Sequence, residues 1–481
     1  MLLTLDLGTT YLKTALFDRC GKVCALHRMP TPITHPERGH WEIAPEQFRE
    51  GIAQAIAALA GSTSRGLAEI AAVTFSTQSN SFLLLDAEDR PLTPLIIWAD
   101  ERAASFEDQV RHLSQTPGFQ RTTGVPELNR QYALAKLLWL RGHRPDIWQC
   151  AKRLCLISDY LTLWLTGKHV TEAGASGLLG MVDIHQLGWW PKVCEQVEVP
   201  GSWLPTVVRA GTDTGLIRPQ AADALGLPRT CRFVVGCLDQ YAGAMGVGNT
   251  VPGAVSETTG TVLATVRCAS DFDPSVESTI FQGPGFDPGV YYQMLFGTRS
   301  ANLLEWYRNG LPDRPHFETL SRAAANVPPG AEGLKVAPDA DKGSVEEGFL
   351  GCVSPYSTGH AARSIMEAVA FALADQVGQL CGLERPVEIR SGGGAASSDV
   401  WLQIKADALG VPFAATTCLV PASLGAAMLA ARALGWADLQ ELARNWVRTK
   451  PPHTPDPRVH AFYRAFLPAS LRAWGNLGQS E

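Results

Sequence analysis

Residues 1–10 read Met-Leu-Leu-Thr-Leu-Asp-Leu-Gly-Thr-Thr, and the remainder of the chain is best read outward from them. Leu2 to Leu7 is an apolar, threonine-containing run that fits a buried strand, and Gly8-Thr9-Thr10 breaks it. A second strand-like run, Leu12 to Phe17, leads into Asp18-Arg19-Cys20-Gly21, where Asp and Gly favour a turn. Lys22 to Arg28 is then expected as a third strand, so the chain opens with an antiparallel meander. Pro45 to Leu59 carries Pro at its first turn and Phe48, Ile52, Ala55, Ile56 and Leu59 at helical spacing. Ile70 to Ser76 reads as a buried strand.

The second half starts in the same manner. Ala254 to Thr259 and Val262 to Val266 are strand-like runs flanking Gly260-Thr261, as the first two runs flank Gly8-Thr9. The repeated strand, Gly-Thr, strand context reads as a weak internal duplication. A long helix is expected over 361–381, with Ile365, Val369 and Ala372 on its core face, and Glu367 and Asp375 solvated or bonded to backbone. A strand from Val387 to Arg390, the run Gly392-Gly393-Gly394, a helix to about Leu409 and a last strand and helix through Leu434 follow. Strands alternating with helices make the fold α/β, and 481 residues exceed one ordinary core, so two large domains are expected. The Gly-, Val- and Pro-rich segment 243–253 is the candidate hinge.

Bulk composition excludes several classes. With 46% hydrophobic and 18% charged residues the chain is globular. A net charge of -6 without a Lys/Arg run gives no footprint for nucleic acid or an anionic membrane. Eleven Cys at irregular spacing, with no C-x-x-C, point to reduced thiols. The first residues lack the pattern of a secretory signal and no apolar stretch approaches the roughly 20 residues that span a bilayer, so a cytoplasmic protein is expected.

No P-loop and no G-x-G-x-x-G occurs, which argues against a nicotinamide dehydrogenase. Phosphates, if bound, need another cradle. Asp6-Leu7-Gly8-Thr9-Thr10 supplies one: Gly permits close backbone approach, N–H groups and two hydroxyls face an anion, and a carboxylate lies alongside. Thr259-Gly260-Thr261 is a second such turn. Asp239-Gln240 follows the apolar run 233–236 and precedes a small-residue stretch, which places a carboxylate at the end of a buried strand where α/β sheets bind ligands. Its bland alternative is a helix N-cap.

Taken together, these segments resemble the FGGY carbohydrate kinases of the actin-like ATPase superfamily, from Leu2 to about Leu434. Asp6 to Thr10 is similar to the family's first phosphate loop, with Lys13 where glycerol kinases place an Arg. Cys237-Leu238-Asp239-Gln240 resembles the segment holding the catalytic base. Thr259-Gly260-Thr261 resembles the second phosphate loop, Gly392-Gly393-Gly394-Ala395 with Ser398 the adenosine-binding segment, and Gly348 through His360 to Glu367 the second family signature. The resemblance implies two actin-like (ribonuclease H-like) domains, 1–245 and 246–481, with a catalytic cleft between them. It further implies ATP and Mg²⁺, with Asp239 as base and Asp6 and Asp239 on the metal. Nucleotide would meet Gly8, Thr9, Thr10, Lys13, Gly260, Thr261, Gly393, Gly394, Ala395 and Ser398. A homodimer is the assembly common in such enzymes.

The substrate segments depart from individual members. Gln78-Ser79-Asn80 stands where glycerol kinases carry Arg-Glu and xylulokinases Met-His, and Trp98-Ala99-Asp100-Glu101-Arg102 resembles the W-x-D-x-R that lines the sugar site. Gln131 and Ala133 replace expected residues before Lys136-Leu-Leu-Trp139, and the segment before Gly348 is altered. His35, His40 and Trp41 read as structural. The resemblance implies Gln78, Ser79, Asn80, Trp98, Asp100, Arg102 and Gln240 as the substrate set, in which an indole would wall the C–H face of a polyol and Asp100 and Asn80 can hydrogen-bond hydroxyls at its edge. A ketopentose such as xylulose is the expected substrate, with a sugar alcohol or another ketose as alternative. A non-catalytic nucleotide-binding regulator is the competing class, told apart by ADP release with and without polyols.

Overall fold

The structure is a computed structural model that describes residues 1–61, 67–275, 279–345, 347–351 and 355–465. Residues 352–354 of the signature stretch lie outside the described residues. Two compact units are present. The first comprises Met1–Pro252, Cys268–Gln293 and Val420–Val447, and the second Gly253–Arg267, Met294–Leu419 and the described residues from 448 onward.

The first unit is built on a mixed sheet. Strands Leu2–Leu7, Tyr11–Phe17 and Val23–Pro30 form the expected antiparallel meander. Ala72–Thr77 pairs parallel with the first strand, Leu7 opposite Thr77. On its other side Arg232–Val234 and then Cys237–Leu238 also run parallel to it, Leu238 opposite Thr77. The consequence is positional: residues 8, 78 and 239 all leave the sheet at one end, the carboxyl ends of three neighbouring parallel strands. Leu3, Leu5 and Leu7 are buried with Phe48, Ile52 and Ile56 of the helix Pro45–Gly61, which gives that helix its apolar stripe.

The expected hinge is in part helix. Residues 243–246 complete the helix Asp239–Gly246, which packs on Pro421–Ala433. Glycine is required at that contact, because a Cβ on Gly246 would fall 1.8 Å from the Pro421 carbonyl oxygen, and one on Gly425 2.0 Å from that of Ala242. The division between the units falls inside the same segment, near its end, after Pro252.

The second unit repeats the pattern. Leu263–Ala269 is antiparallel to Val255–Thr259, Ile389–Gly392 lies parallel on the other side of Val255–Thr259, and Phe413–Ala415 is parallel beyond it. Thr258 sits opposite Gly392, so the turns at 259–261 and 393–394 leave this sheet together. The long helix runs Thr358–Cys381, with Ile365, Met366 and Val369 buried. Its Glu367 is buried rather than solvated, accepting from the Gly330 N–H, Arg363 and Tyr463. Among the described residues no helix is long and apolar enough to cross a membrane.

Candidate active site

Asp6 lies on the first strand with Lys13 opposite it across the hairpin and Ser76 opposite it on the parallel strand. Both neighbours use that register. Ser76 Oγ donates to Asp6 Oδ1 at 2.8 Å, and Lys13 Nζ to Oδ2 at 2.8 Å. Lys13 is therefore turned back onto Asp6. Gly8 makes the following turn possible, since a Cβ there would sit 2.7 Å from the Tyr11 carbonyl oxygen. Thr31 ties the turn down by donating its hydroxyl to the Gly8 carbonyl and its N–H to that of Thr10.

Asp239 opens its helix one residue after Leu238, and the Gln240 N–H donates to its Oδ1 at 2.7 Å. Burial, reinforced by the nearby carboxylate of Asp6, pushes its carboxyl up to about 7. Two neighbouring carboxylates, one of them driven toward neutrality mainly by burial and further by the other, form an oxygen donor set that a hard divalent cation would relieve. Among the described residues no group of three or more His, Cys, Asp or Glu could hold a metal, so such an ion would draw its other ligands from water and phosphate.

Gln78 organises the third strand end. Its Oε1 accepts from Thr9 Oγ1 at 2.9 Å and Ser81 Oγ at 3.1 Å. Those two hydroxyls in turn accept from Trp98, Thr9 from the indole Nε1 at 2.8 Å and Ser81 from the backbone N–H at 3.0 Å. Each hydroxyl proton is thereby directed to Gln78, which orients the amide and leaves its buried Nε2 without a hydrogen-bond partner among the described residues.

The other expected sugar residues are more committed. Ser79 Oγ donates to the Ala175 carbonyl at 2.6 Å. Asn80, in the left-handed region at φ 59°, donates to Leu178 and accepts from the Ala133 N–H, which opens the helix Ala133–His143. Asp100 is buried and accepts from the Trp41 N–H and from the Arg102 N–H, Nε and Nη2. Burial alone would raise the Asp100 carboxyl, but the Arg102 guanidinium and the Trp41 amide hold it below the usual carboxylate range. Arg102 also pairs with Glu42. Asp100 and Arg102 thus form an internal brace behind Trp98.

In the second unit a cavity of about 570 Å³ gathers Thr259, Gly260, Gly394, Ala395 and Ser398. Leu304, Phe317 and Val400 give it apolar walls. Gly393, at φ 81°, turns the chain into it, and Thr261 is exposed at the edge of its own turn. Ser398 caps the helix Asp399–Leu409 and donates to Ser321 Oγ at 3.0 Å.

Several buried charges were not singled out from sequence. Lys136 is fully buried and donates to the carbonyls of Trp98 at 2.7 Å and Gln131 at 2.6 Å, and burial lowers its ammonium to about 7. Glu172 accepts from the N–H groups of Gly174, Ala175 and Leu238, and burial pushes it up to about 7. Glu257 and Lys405 pair in the second unit. Lys136 is a charge inside the otherwise apolar run 133–140, whereas Glu172 and Glu257 stand among Thr, Ser and Gly and gave no such signal.

Models of the FGGY family of carbohydrate kinases match this chain, the N-terminal domain over residues 1–246 and the C-terminal domain over 258–434. The chain is 27% identical over 480 residues to a xylulose kinase of Lactococcus lactis, covering 96% of this chain and 94% of that one. It is 28% identical over 494 residues to a glycerol kinase of Aromatoleum aromaticum, with 92% of each covered. A solved xylulose kinase from Lactobacillus acidophilus superposes with a TM-score of 0.89 at 24% identity, covering 100% of this chain and 99% of the other, which shows a common fold. With a mixed sheet and a glycine turn repeated in each half, the chain belongs to the FGGY family of carbohydrate kinases and is an ATP-dependent phosphotransferase with a sugar or polyol hydroxyl as acceptor.

Proposed function

We propose that the chain transfers the γ-phosphoryl group of ATP to a hydroxyl of a ketopentose such as xylulose, with Asp239 as general base. The observation that carries this reading is the shared strand end, where Asp239, Asp6 and the Thr9–Gln78–Trp98 chain of hydrogen bonds meet in one unit. A carboxyl raised to about 7 is half-ionised near neutrality, which suits a group that must take a proton from an alcohol as the O–P bond forms. The indole of Trp98 offers a wall for the C–H face of the sugar, and Gln78 Nε2 offers it a donor. Gly8, Thr9 and Thr10 would face the terminal phosphates, as Gly260 and Thr261 would from their own turn. The cavity between Gly394, Ala395 and Ser398 and the walls Leu304 and Phe317 is of a size and polarity for adenosine. Residues 1–245 would then carry the sugar, the first phosphate turn and the base, and 246–481 the second turn and the adenosine. Mg²⁺, held by Asp6 and Asp239 directly or through its waters, would neutralise charge on the phosphate oxygens.

A neutral sugar is favoured over an acidic one because the cations nearest this strand end have partners already. Arg102 is paired with Asp100 and Glu42, Lys136 with two carbonyls, and Lys13 with Asp6. Ser79 and Asn80 supply no Arg-Glu pair for glycerol. The Lactococcus lactis relative supports xylulose among the neutral candidates. The test is an ADP-release assay over pentuloses, hexuloses, pentitols, tetritols, glycerol and gluconate. Xylulose is expected to give the highest kcat/KM. A pentitol or hexulose exceeding it would reassign the substrate, and ATP binding without stimulated ADP release by any acceptor would point to a regulator.

A further inference from the structure

Glu257 and Lys405 are charged, and both side chains have no exposed surface. Lys405 Nζ donates to Glu257 Oε1 at 2.8 Å and to Thr259 Oγ1 at 2.8 Å. Thr259, whose hydroxyl accepts from the ammonium, donates its own O–H to Glu257 Oε2 at 2.6 Å. Ser391 Oγ completes the set by donating to Glu257 Oε1. Each partner comes from a segment that goes on to line the 570 Å³ cavity: Thr259 precedes Gly260, Ser391 precedes the Gly392–Gly394 turn, and Lys405 lies on the helix whose first turn is Ser398 to Trp401.

We infer that Glu257 and Lys405 are positioning residues for the nucleotide, a charged tie beneath the cavity that fixes its two glycine turns and its helix relative to one another. The inference rests on reading that cavity as the nucleotide site. Energetics separate this role from simple stabilisation. A buried ion pair is commonly replaceable by an apolar pair of similar volume without loss of stability, whereas removing one partner strands the other charge. What an apolar pair cannot reproduce is the directed set of bonds that holds the Thr259 hydroxyl and the Ser391 hydroxyl to one carboxylate.

The test compares the double variant Glu257→Leu/Lys405→Met with Lys405→Met and wild type, reading thermal midpoint, KM for ATP, KM for sugar and kcat. Lys405→Met alone should lower the midpoint. The double variant should recover most of that loss, less the cost of the Thr259 and Ser391 hydroxyls that lose their acceptor, yet keep KM for ATP raised by about tenfold or more, with KM for sugar within about twofold of wild type. A double variant with KM for ATP within about twofold of wild type overturns the inference. If the double variant does not fold, Thr259→Val, which keeps the shape and removes the hydroxyl, should raise KM for ATP, and Thr259→Ser should restore it; equal behaviour of the two overturns the inference. Gly260→Ala separates this from the underlying reading, since a Cβ there meets nothing within 4 Å and the variant should fold. Unchanged ATP binding in Gly260→Ala refutes the nucleotide reading of the cavity and the inference with it. Weakened ATP binding there, with an unaffected double variant, refutes the inference alone.

Discussion

The indole Nε1 of Trp98 donates to the hydroxyl of Thr9 across 2.8 Å, joining two residues 89 positions apart in the chain. Through that bond the side chain proposed to wall the sugar also sets the rotamer of a side chain in the first phosphate turn. Thr9 in turn donates to Gln78 Oε1, so three segments share one hydrogen-bond chain. Sugar and phosphate recognition are on this account mechanically linked within a single unit.

The link is measurable. Trp98→Phe keeps a ring and removes the donor, and Thr9→Val keeps the shape and removes the hydroxyl. Each should lower kcat/KM, and the double variant should lose less than the sum, with a coupling of about 0.5–3 kcal/mol for groups in one network. Strict additivity in the double-mutant cycle would show that the bond plays no part in turnover.

A pH dependence follows from the base. Asp239 must be ionised to accept a proton, and burial with the Asp6 carboxylate pushes it up to about 7. The kcat/KM for sugar should therefore climb with pH and level off above about 7. Asp6→Asn removes the repelling charge and should shift the residual activity profile toward lower pH. A profile flat from pH 5 to 9, roughly the range a His-like ionisation would span, speaks against Asp239 as the titrating group.

The same carboxyl carries a stability cost. Its folded value lies above the ordinary carboxylate value of 3.8, so the folded state holds a proton that the unfolded chain has released, and stability falls as pH rises toward about 7. Asp239→Asn removes that loss. Its thermal midpoint should exceed that of wild type at pH 8, with the gain shrinking as pH falls toward the ordinary carboxylate value of 3.8, below which Asp239 is protonated in the folded and unfolded states alike. Thermal scans at about pH 4, 6 and 8 check the sign, and a variant less stable than wild type at pH 8 would count against a strained, charged Asp239.

Asp100 should behave as a brace rather than as a sugar reader. Its oxygens are occupied by the Trp41 and Arg102 donors, and Arg102 is itself buried. Asp100→Ala leaves that guanidinium short of a partner and should cost about 3–5 kcal/mol, the range for breaking a buried pair. Urea unfolding gives the figure. Selectivity among sugars should change less than stability does, and the reverse result would put Asp100 in direct contact with substrate.

What was legible in the sequence is what is local. The strand, Gly-Thr, strand pattern at the start of each half needs only neighbouring residues, and the register that brings residues 8, 78 and 239 to one sheet end follows once the strands are parallel. The segment read as a hinge does hold the division between the units, after Pro252, but its first part is helix, where Gly246 serves close packing against a helix starting at Pro421, a contact that no local pattern announces. Lys405 and Glu257 lie 148 residues apart, and whether a buried charge is paired depends on where the fold brings its partner. Asp100 looked like a hydrogen-bonding group for hydroxyls because its residue type allows it. Its four protein donors became visible only with the Trp41 loop in place.

The central claim is that Asp239 takes the proton of the attacking hydroxyl, and single-turnover phosphorylation by Asp239→Asn tests it most directly. Asn keeps the shape and a hydrogen bond to the hydroxyl but cannot accept the proton. Sugar and ATP affinities measured by calorimetry should survive, while the transfer rate should fall by at least about a hundredfold, within the range typical of general-base assistance. Intact binding together with a near wild-type transfer rate would contradict the account and leave Asp239 as a helix-terminal residue with no part in the chemistry.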